Sequence, residues 1–351
     1  MGTCARCGSK TSGSRWALAA VNIVVILVVP TMLVIIVNFR TAALVIECLQ
    51  SLEAQVTEPQ ASVKGVVVVD NDSADGSAQR IDAAIREHGW QSWARLMALD
   101  TNGGFGAGNN AAIRTALASA DPPELFFLLN PDTVVRPGAM AAMRRFMESN
   151  PTVGVAGSRL DNPDGTPQNT ARRFPTVLSE LEEGMQLGVV SRLLAGRVVA
   201  PPTRREAHET DWIPGAGMAI RRQVLDSIGL FDEGYFLYFE EVDFCLRARR
   251  AGWPCWYVPD SRLVHLMGQA TKISSGLTTP GRRPAYWFES RRRYFLKCHG
   301  RLKALLADLA RALGHATWRL RRALQRKPDT DPPCFLTDLI RQSVMVKGFR
   351  F

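Results

Sequence analysis

The sequence predicts an α/β fold, with a mostly parallel sheet that carries helices on both faces and a helical appendage at the C-terminus. In the first half of the chain, short apolar runs alternate with amphipathic segments, which is the pattern of buried strands and the helices that follow them. Near the C-terminus, leucines recur at helical spacing. A length of 351 residues fits about two domains, or one large α/β domain with an appendage.

Composition excludes several protein classes. Hydrophobic residues make up 46% of the chain and charged residues 22%, as in a globular protein and unlike a disordered or collagen-like one. The seven cysteines are odd in number and scattered, which favours reduced thiols in the cytosol over a disulfide framework. Cys4 and Cys7 form one C-x-x-C pair, but no second Cys or His pair follows at the spacing of a zinc site.

The net charge of +10 is concentrated in one segment. Fourteen Lys and Arg residues, but only two acidic ones, lie between Arg282 and Lys327, so the rest of the chain is slightly acidic. No nucleic-acid-binding motif accompanies this basic segment, and we expect no nucleic-acid partner.

The N-terminal part has no charged residue from Trp16 to Phe39, a length that can cross a bilayer. However, the second half of this run is β-branched and is followed by an amphipathic segment from Leu44 to Leu52, as in a buried strand and its helix. We therefore predict a hydrophobic extension over residues 1–30, then the first strand. Whether residues 16–29 enter the membrane stays open.

Polar clusters follow three of the predicted strands. The strands are 66–69, 95–99 and 125–129, and the clusters are 70–76, 102–110 and 130–132. Because ligands of parallel α/β sheets bind beyond the carboxyl ends of the strands, the clusters predict one shared ligand site. The second half of the chain is less periodic, and its main polar feature is an acidic cluster at 240–243, near a predicted helix start.

Six short motifs occur in a characteristic order. They are Val37-Asn-Phe-Arg40, Asp70-Asn-Asp-Ser-Ala-Asp-Gly76, Asn102-Gly-Gly-Phe-Gly-Ala-Gly-Asn-Asn110, Asn130-Pro-Asp132, Gly215-Ala-Gly217 and Glu240-Glu-Val-Asp243. The set resembles the inverting GT-A glycosyltransferases of family two, in the rhamnosyltransferase-like branch that also holds galactofuranosyltransferases. The resemblance runs from about Met32 to Gly268. It implies a Rossmann-like, nucleotide-binding catalytic domain over residues 31–270, followed by a basic helical region over residues 271–351.

The resemblance implies a set of donor-binding residues. They are Asn38, Asp70, Asn102, Gly104, Asn109, Asn110 and Asn130. Asp70 is implied to bind the nucleotide base, because a carboxylate accepts hydrogen bonds from a pyrimidine edge. The alternative for Asp70 is a turn or helix-capping role.

The glycine-rich stretch at 102–110 has an alternative interpretation as a dinucleotide-binding loop. Its third glycine comes one residue early, and the stretch follows the third strand instead of the first. A tight turn that brings its backbone and Asn109 or Asn110 to a nucleotide-sugar fits the sequence better.

A metal site is implied at Asp132 and His265. A carboxylate-held Mg²⁺ or Mn²⁺ neutralises a diphosphate leaving group. Asn130 stands where relatives carry the first aspartate of an Asp-x-Asp motif, which removes one anionic ligand and leaves Asp132 as the main one. The alternatives are a simple turn at Asp132 and a structural role for His265.

The acidic cluster is the implied catalytic element. An inverting transfer needs a carboxylate that takes the proton of the acceptor hydroxyl, and the resemblance assigns this role to Glu241, with Glu240 as second choice. Helix capping is the alternative for these acids. Asp211 and Trp212 resemble an acceptor-side segment, in which an indole stacks on a sugar ring; burial in the core is the alternative for Trp212.

The C-terminal segment predicts a basic amphipathic helix. Its leucines run from Leu302 to Leu324 with arginines and lysines around them, which suits an anionic membrane surface. Arg291-Arg-Arg293 just before it is expected to face the diphosphate of a lipid-linked acceptor. In the alternative, the leucines pack on the catalytic domain and the arginines are merely solvated.

The combined expectation is a metal-dependent inverting glycosyltransferase of cell-envelope glycan synthesis, peripheral at the cytoplasmic face of the plasma membrane. Its first-choice donor is dTDP-L-rhamnose, and its acceptor is a glycan, polysaccharide or polyprenyl-diphosphate-linked sugar. The alternatives are a transferase that uses UDP-galactofuranose or another UDP-sugar, a non-catalytic nucleotide-sugar-binding protein at the membrane and, more distantly, an NAD-dependent oxidoreductase.

Overall fold

The computed structural model describes residues 1–3, 30–266, 281–329 and 331–350. Most of the predicted extension over residues 1–30, including Cys4, Cys7 and the ambiguous residues 16–29, lies outside the described residues. The second half of the apolar run is a fully buried strand, as predicted. Within the described ranges, no helix is both long enough and apolar enough to cross a membrane.

Nine strands of the described chain form one sheet. They are β1 (Met32–Asn38), β2 (Val63–Asn71), β3 (Ala94–Leu99), β4 (Leu125–Leu129), β5 (Thr133–Val135), β6 (Val155–Asp161), β7 (His208–Thr210), β8 (Gly217–Arg221) and β9 (Cys255–His265). The strand order is β3-β2-β1-β4-β8-β6-β9-β5, and β7 pairs with β9.

The sheet is mixed, although its α/β class is as predicted. β1 runs parallel to β2 and β4, as β2 does to β3 and β6 to β9. β8 runs antiparallel between β4 and β6, and β5 and β7 run antiparallel to β9. Parallel neighbours need a long crossover connection. Up to β4, strands alternate with helices that form such crossovers. In the second half of the chain, this regular alternation is absent.

Helices cover both faces of this sheet and extend it at the C-terminus. Those of the described ranges are α1 (Ala42–Val56), α2 (Ser77–Glu87), α3 (Gly104–Leu117), α4 (Ala139–Ser149), α5 (Val177–Met185), α6 (Gly188–Leu193), α7 (Arg222–Ile228), α8 (Glu240–Arg250), α9 (Ala285–His299), α10 (Arg301–Leu324), α11 (Phe335–Gln342) and α12 (Val344–Lys347). Short 3-10 turns occur at Trp90–Ser92 and Ala195–Arg197.

The alternation of side chains along β1 divides the core into two layers. Val34 and Ile36 point into the layer formed with α1, α2 and α4. Leu33, Ile35 and Val37 point into the layer formed with α3, α7 and α8. Each fully buried aliphatic side chain contributes about 1.5–3 kcal/mol, so both layers stabilise the strand. The layers confirm the expectation of helices on both faces.

The C-terminal helices share a core with the catalytic part of the chain. Tyr294 and Phe295 of α9 pack in one cluster with Tyr235, Val242 and Leu246. The boundary predicted at residue 271 lies outside the described residues, so it stays a prediction.

Helix α10 packs on α5 with a face of small side chains. Ala304 and Ala307 are buried, and a Cβ added to Gly314 would lie 2.9 Å from the carbonyl oxygen of Leu181, so the two helices approach closely. The larger leucines lie elsewhere on the helix. Leu302, Leu306, Leu309, Leu313, Leu320 and Leu324 are exposed, with fractions from 36% to 77%. The alternative, in which the leucines pack on the rest of the chain, holds for Leu305, which packs against a buried cluster, but not for these six exposed leucines.

Candidate active site

A cavity of about 340 Å³, here called the strand-end cavity, opens beyond the carboxyl ends of β1, β2 and β4. It is lined by Val37, Phe39, Thr41, Asn71, Asn102, Gly104, Phe105, Asn130, Pro131, Phe236, Leu237 and Tyr286. This is where the parallel sheet was expected to bind its ligand. A larger cavity of about 460 Å³ near Lys64 and Trp93 is lined by none of the predicted site residues.

Asp70 and Asn38 form one buried hydrogen-bonded network at this edge of the sheet. The two residues are opposite each other in the β1–β2 register, and Asn38 Nδ2 donates to Asp70 Oδ1 at 2.6 Å. The Asp70 carboxylate also accepts from the backbone N–H of Ser73 at 3.1 Å and from its hydroxyl at 2.6 Å. Asn38 Oδ1 accepts from Thr41. Asn38 therefore orients the carboxylate, and the turn expected as the alternative for Asp70 is present.

Asn71 is a cavity residue that sequence reasoning missed. It is buried, and its Nδ2 donates to Asn102 Oδ1 at 2.8 Å and to the carbonyl oxygen of Gly104 at 3.0 Å. Its Oδ1 has no hydrogen-bond partner among the described residues. The wall of the strand-end cavity thus carries an unpaired acceptor between two predicted donor-binding residues. The available signal was its position directly after Asp70 at the end of β2.

The sequence predicts a helix from about residue 107, whereas α3 begins at Gly104, so Asn109 and Asn110 lie within the helix and not in a turn. A Cβ added to Gly108 would lie 2.8 Å from Val37 Cγ1, so this glycine lets α3 pack closely on β1. Asn109 donates to the carbonyl oxygen of Phe105 at 2.9 Å. The structure places Asn109 outside the cavity lining, where it braces the helix.

Asn110 also lies outside the cavity lining. Its Nδ2 donates to the carbonyl oxygen of Phe231 at 2.9 Å and to Glu233 Oε1 at 2.8 Å, and its Oδ1 accepts from the N–H of Phe231 at 3.0 Å. Both ends of the amide are therefore engaged in holding the segment after α7.

Asp132 and His265 meet at the end of the sheet. Asp132 follows β4, and His265 pairs with Thr133 in the β5–β9 register, which brings the imidazole to the carboxylate. His265 Nε2 lies 3.3 Å from Asp132 Oδ1, and this buried oxygen has no hydrogen-bond partner among the described residues. Gln168 fixes the histidine, because its Oε1 lies 3.2 Å from His265 Nδ1 and its Nε2 donates to the His265 carbonyl oxygen at 2.8 Å.

This pair fits a divalent cation that takes its remaining ligands from elsewhere. Adjacent ligands of an octahedral cation with bonds of about 2.0–2.1 Å are roughly 3 Å apart, which is close to the observed separation. A carboxylate oxygen and an imidazole nitrogen are also suitable donor types. No cluster of three or more His, Cys, Asp or Glu that could hold a metal occurs in the described part of the chain, so these two groups would be its protein ligands.

Glu240 and Glu241 begin α8 directly after two strained residues. Tyr238 and Phe239 have φ angles of 69° and 67°, which is the left-handed region that aromatic side chains rarely adopt. Each such residue costs about 1–3 kcal/mol, and strain of this kind is concentrated at functional sites. The backbone therefore holds the acid pair in a defined position at a cost in stability.

Both carboxyl groups of the acid pair hold protons more tightly than an exposed glutamate. Burial, together with the charge of Glu241, raises the pKa of Glu240 well above its ordinary value. Burial also raises the pKa of Glu241, although backbone N–H groups and the charge of Arg172 act in the opposite direction. The Oε2 atom of each glutamate is buried and lacks a hydrogen-bond partner among the described residues.

A second cavity of about 420 Å³, here called the glutamate cavity, adjoins Glu241. It is lined by Arg172, Pro175, Glu180, Glu183, Val199, Trp212, Pro214, Tyr238, Phe239, Glu241, Val242, Arg283 and Trp287. Glu241 and Trp212 thus lie together as predicted, whereas Glu240 is outside this lining. The segment 236–241 belongs to the walls of both cavities, with Phe236 and Leu237 in one and Tyr238 and Phe239 in the other.

Asp211 does not reach the glutamate cavity, although it was expected beside Trp212 in acceptor binding. Its Oδ2 accepts from the backbone N–H of Phe174 at 2.8 Å, and its Oδ1 pairs with Arg249. Asp211 therefore anchors the chain next to Trp212.

The expectation that Arg291-Arg-Arg293 faces a diphosphate is wrong. Arg291 is buried between Glu180 and Asp308, and Arg293 pairs with Asp232 at 2.9 Å. Arg292 donates to the carbonyl oxygen of Gln342 at 2.7 Å. These arginines attach α9 to its neighbours.

Comparisons with known proteins agree on the kind of protein. Residues 30–295 match the family model described as glycosyltransferase like family 2. N-acetylglucosaminyl-diphospho-decaprenol L-rhamnosyltransferase of Mycobacterium tuberculosis is 28% identical over 217 residues, which are 59% of this chain and 67% of that protein. Rhamnosyltransferase WbbL of Escherichia coli K12 is 30% identical over 169 residues, which are 46% and 60% of the two chains. The dTDP-rhamnosyl transferase RfbF of Shigella flexneri is 22% identical over 272 residues, 77% and 83% of the two chains.

Solved structures show the same fold. Mannosyltransferase PcManGT from Pyrobaculum calidifontis, in complex with GDP-Man and Mn²⁺, has a TM-score of 0.52 at 18% identity, over 92% of this chain and 82% of its own. GalNAc-T7 with UDP, GalNAc and Mn²⁺ has a TM-score of 0.55 at 15% identity, over 92% and 56%. The GT-A fold expected from the sequence is confirmed.

Proposed function

The chain belongs to the glycosyltransferase-like family 2 and is a transferase, and from that premise we propose that it is a metal-dependent inverting enzyme that moves L-rhamnose from dTDP-L-rhamnose to a lipid-linked or polysaccharide acceptor. The proposal rests on the segment 236–241, which lines both cavities and ends in Glu241. The rhamnosyltransferases among its relatives support the choice of sugar, and one of them is named for a diphosphate-linked lipid acceptor.

The strand-end cavity takes the nucleotide-sugar. Asn71 offers its unpaired Oδ1 to an N–H group of the base, and Asn102 holds the Asn71 amide in place. Tyr286 and Phe236 supply aromatic faces, with ring centroids 5.3 Å apart. Asp70 acts from behind this wall, where Asn38 and Ser73 fix its carboxylate.

Asp132 and His265 hold the metal, Mg²⁺ or Mn²⁺. When bound, the cation neutralises the charge that develops on the leaving diphosphate. Asp132 supplies the single protein carboxylate, as the sequence indicated from Asn130. Gln168 keeps the imidazole turned toward the carboxylate.

Glu241 takes the proton from the acceptor hydroxyl as the oxygen attacks the anomeric carbon. A base in this position typically contributes about 10²–10⁴-fold to the rate. Its raised pKa suits it to accept a proton, and burial raises the pKa of the neighbouring Glu240 as well. Trp212 orients the acceptor sugar by stacking against it.

The exposed leucines of α10 attach the enzyme to an anionic membrane surface at the cytoplasmic face. Leu302, Leu313 and Leu320 lie on the side of the helix away from α5, and exposed basic residues such as Lys303 and Arg319 flank them. Apolar side chains between cationic ones are the pattern of helices that lie in the membrane interface. This location places a lipid-linked acceptor within reach of the glutamate cavity.

The direct test is transfer from a panel of donors to a diphosphate-linked N-acetylglucosaminyl lipid. We expect product with dTDP-L-rhamnose and Mn²⁺ or Mg²⁺, and none in EDTA. Transfer from UDP-galactofuranose alone would replace the proposed donor. Donor binding without transfer to the lipid or to a polysaccharide acceptor would favour a non-catalytic protein.

A further inference from the structure

Two guanidinium groups in the glutamate cavity form no ion pair among the described residues, although Glu180, Glu183 and Glu241 also line the cavity. Arg172 and Arg283 both line this cavity. Among the described residues, neither side chain forms an ion pair or a hydrogen bond, and the Nε atom of Arg283 is buried without a partner. Each stacks instead on a tryptophan of the same cavity, Arg172 over Trp212 at 5.5 Å and Arg283 over Trp287 at 4.7 Å.

This arrangement is unfavourable unless an anion enters the cavity. Burial lowers the pKa of both arginines, which reports the cost of keeping them charged away from water. Glu183 and Glu241 partly offset this cost for Arg172, and Tyr238 and Glu183 do so for Arg283, although Glu183 itself pairs with Arg311. The buried Arg291, by contrast, is neutralised by two carboxylates. Planar guanidinium forks match phosphate oxygens in bidentate geometry.

We propose that Arg172 and Arg283 form the subsite for the diphosphate group of the acceptor. This inference rests on the proposed function and names the part of the acceptor that the glutamate cavity recognises. In the proposed function, Glu241 contacts the hydroxyl of the acceptor and Trp212 contacts its sugar ring. The two arginines then bind the diphosphate attached to that sugar.

The diphosphate of the donor is the other possible source of the anion. The arginines lie outside the strand-end cavity, and Asp132 and His265 serve the donor through the metal. The acceptor is also the substrate that shares a cavity with Glu241.

The test compares two acceptors that carry the same sugar, one on a lipid diphosphate and one on a neutral alkyl chain. R172Q and R283Q should each raise KM for the diphosphate acceptor by roughly ten- to hundred-fold, as expected for the loss of a charged hydrogen bond. KM for the neutral acceptor and for dTDP-L-rhamnose should change less than about two-fold. R172K and R283K keep the positive charge, so their KM for the diphosphate acceptor should rise less than that of the glutamine variants. This comparison also shows whether the effect of the glutamine variants is due to misfolding.

Arg192 of α6, exposed and outside both cavities, provides the matched control, and R192Q should leave all three KM values unchanged. A rise of KM for the donor would assign the arginines to the donor diphosphate and overturn the inference. An equal rise of KM for both acceptors would also overturn it.

A binding arm separates this inference from the proposed function. Inorganic pyrophosphate titrated into the full chain in EDTA should release heat with the wild-type protein, and binding should weaken at least ten-fold in R172Q and R283Q. If the wild type transferred no sugar to either acceptor, the proposed function would be wrong. The pyrophosphate titration would still test whether Arg172 and Arg283 bind a diphosphate. Equal binding by wild type and variants would refute the subsite.

Discussion

Glu241 is the residue at which stability and the proposed function conflict. Burial raises its pKa, and it also raises the pKa of Glu240 beside it. The ionised form that a base requires is therefore the form that the folded protein tolerates least. Such costs are common at active sites, where substitutions that remove function often stabilise the fold.

E241Q should abolish transfer and raise the melting temperature. The pKa of the Glu241 carboxyl group is higher in the folded protein than in the unfolded chain. Its ionisation therefore does not destabilise the fold at a pH below the unfolded-state pKa, and it destabilises the fold fully at a pH above the folded-state pKa. At pH 8 the variant should melt about 1–2 °C higher than wild type, which corresponds to roughly 1 kcal/mol for a chain of 351 residues. The gain should shrink as pH falls toward 4.5.

Thermal unfolding across this pH range is the measurement. E206Q removes an exposed carboxylate instead and should leave the melting temperature unchanged at every pH. A lower melting temperature for E241Q at pH 8 would show that the carboxylate is stabilised in the fold.

His265 offers a second test at this scale. H265A removes one of two proposed metal ligands, so the Mn²⁺ concentration for half-maximal transfer should rise roughly ten- to hundred-fold, with activity restored at high metal. Calorimetric titration of Mn²⁺ with dTDP present gives a readout without turnover. H208A, on β7, is the control, and an unchanged metal affinity in H265A would remove His265 from the site.

Some site residues could be predicted from the sequence and others could not. Asp132 could be named from its motif at the end of a strand and His265 from the family resemblance, and the structure brings them to 3.3 Å. Asn71 offered only its position directly after Asp70, and Arg172 and Arg283 offered no local signal, because what distinguishes these three side chains is a polar group without a hydrogen-bond partner or ion pair. That property depends on every neighbour in three dimensions, which no local pattern records.

At the scale of elements, Gly104 couples the start of α3 to the segment that carries the acids. Its φ is +87°, and an added Cβ would overlap the carbonyl oxygen of Phe236 at 1.7 Å. The N–H of Phe105 donates to that same carbonyl at 3.1 Å. The sequence placed the helix start later because three glycines disfavour a helix locally, whereas packing against Val37 and Phe236 requires them.

G104A should move the 236–241 segment and impair both folding and transfer. The backbone conformation alone costs about 1–3 kcal/mol, and the overlap adds to it. G188A is matched in chemistry, because an added Cβ at Gly188 meets nothing within 4 Å, and it should melt as wild type does. Thermal unfolding and transfer assays check both variants; a fully active, stable G104A would contradict this coupling.

The leucines of α10 give the second prediction at the scale of elements. L306E combined with L313E should weaken binding to phosphatidylglycerol vesicles more than ten-fold, because each leucine lost from the interface forfeits about 1.5–3 kcal/mol. Transfer to a soluble acceptor should persist. L193E changes a leucine on α6 that is even more exposed and serves as the control in vesicle co-sedimentation.

Unchanged vesicle binding by the double variant would remove α10 from the membrane contact. A change from dimer to monomer, seen by light scattering, would assign the leucine face to a second copy of the chain instead.

At the scale of the whole molecule, the described chain is a sheet with two cavities. Residues in or just before α9 complete the lining of both cavities. The strands of the first half could be predicted because buried apolar runs alternate with helices. The antiparallel insertion of β8 could not, because it depends on pairings between strands distant in the sequence. Nor could the packing of Tyr294 against Val242, which joins the C-terminal helices to the acid pair.

The central claim is that Glu241 activates an acceptor hydroxyl for inverting transfer. The most direct measurement is NMR of the anomeric centre of the product formed from dTDP-L-rhamnose by wild type and by E241Q. The account predicts a product of inverted anomeric configuration from wild type and a rate at least about 10²-fold lower from E241Q. Retention of configuration, or undiminished transfer by E241Q, would contradict it.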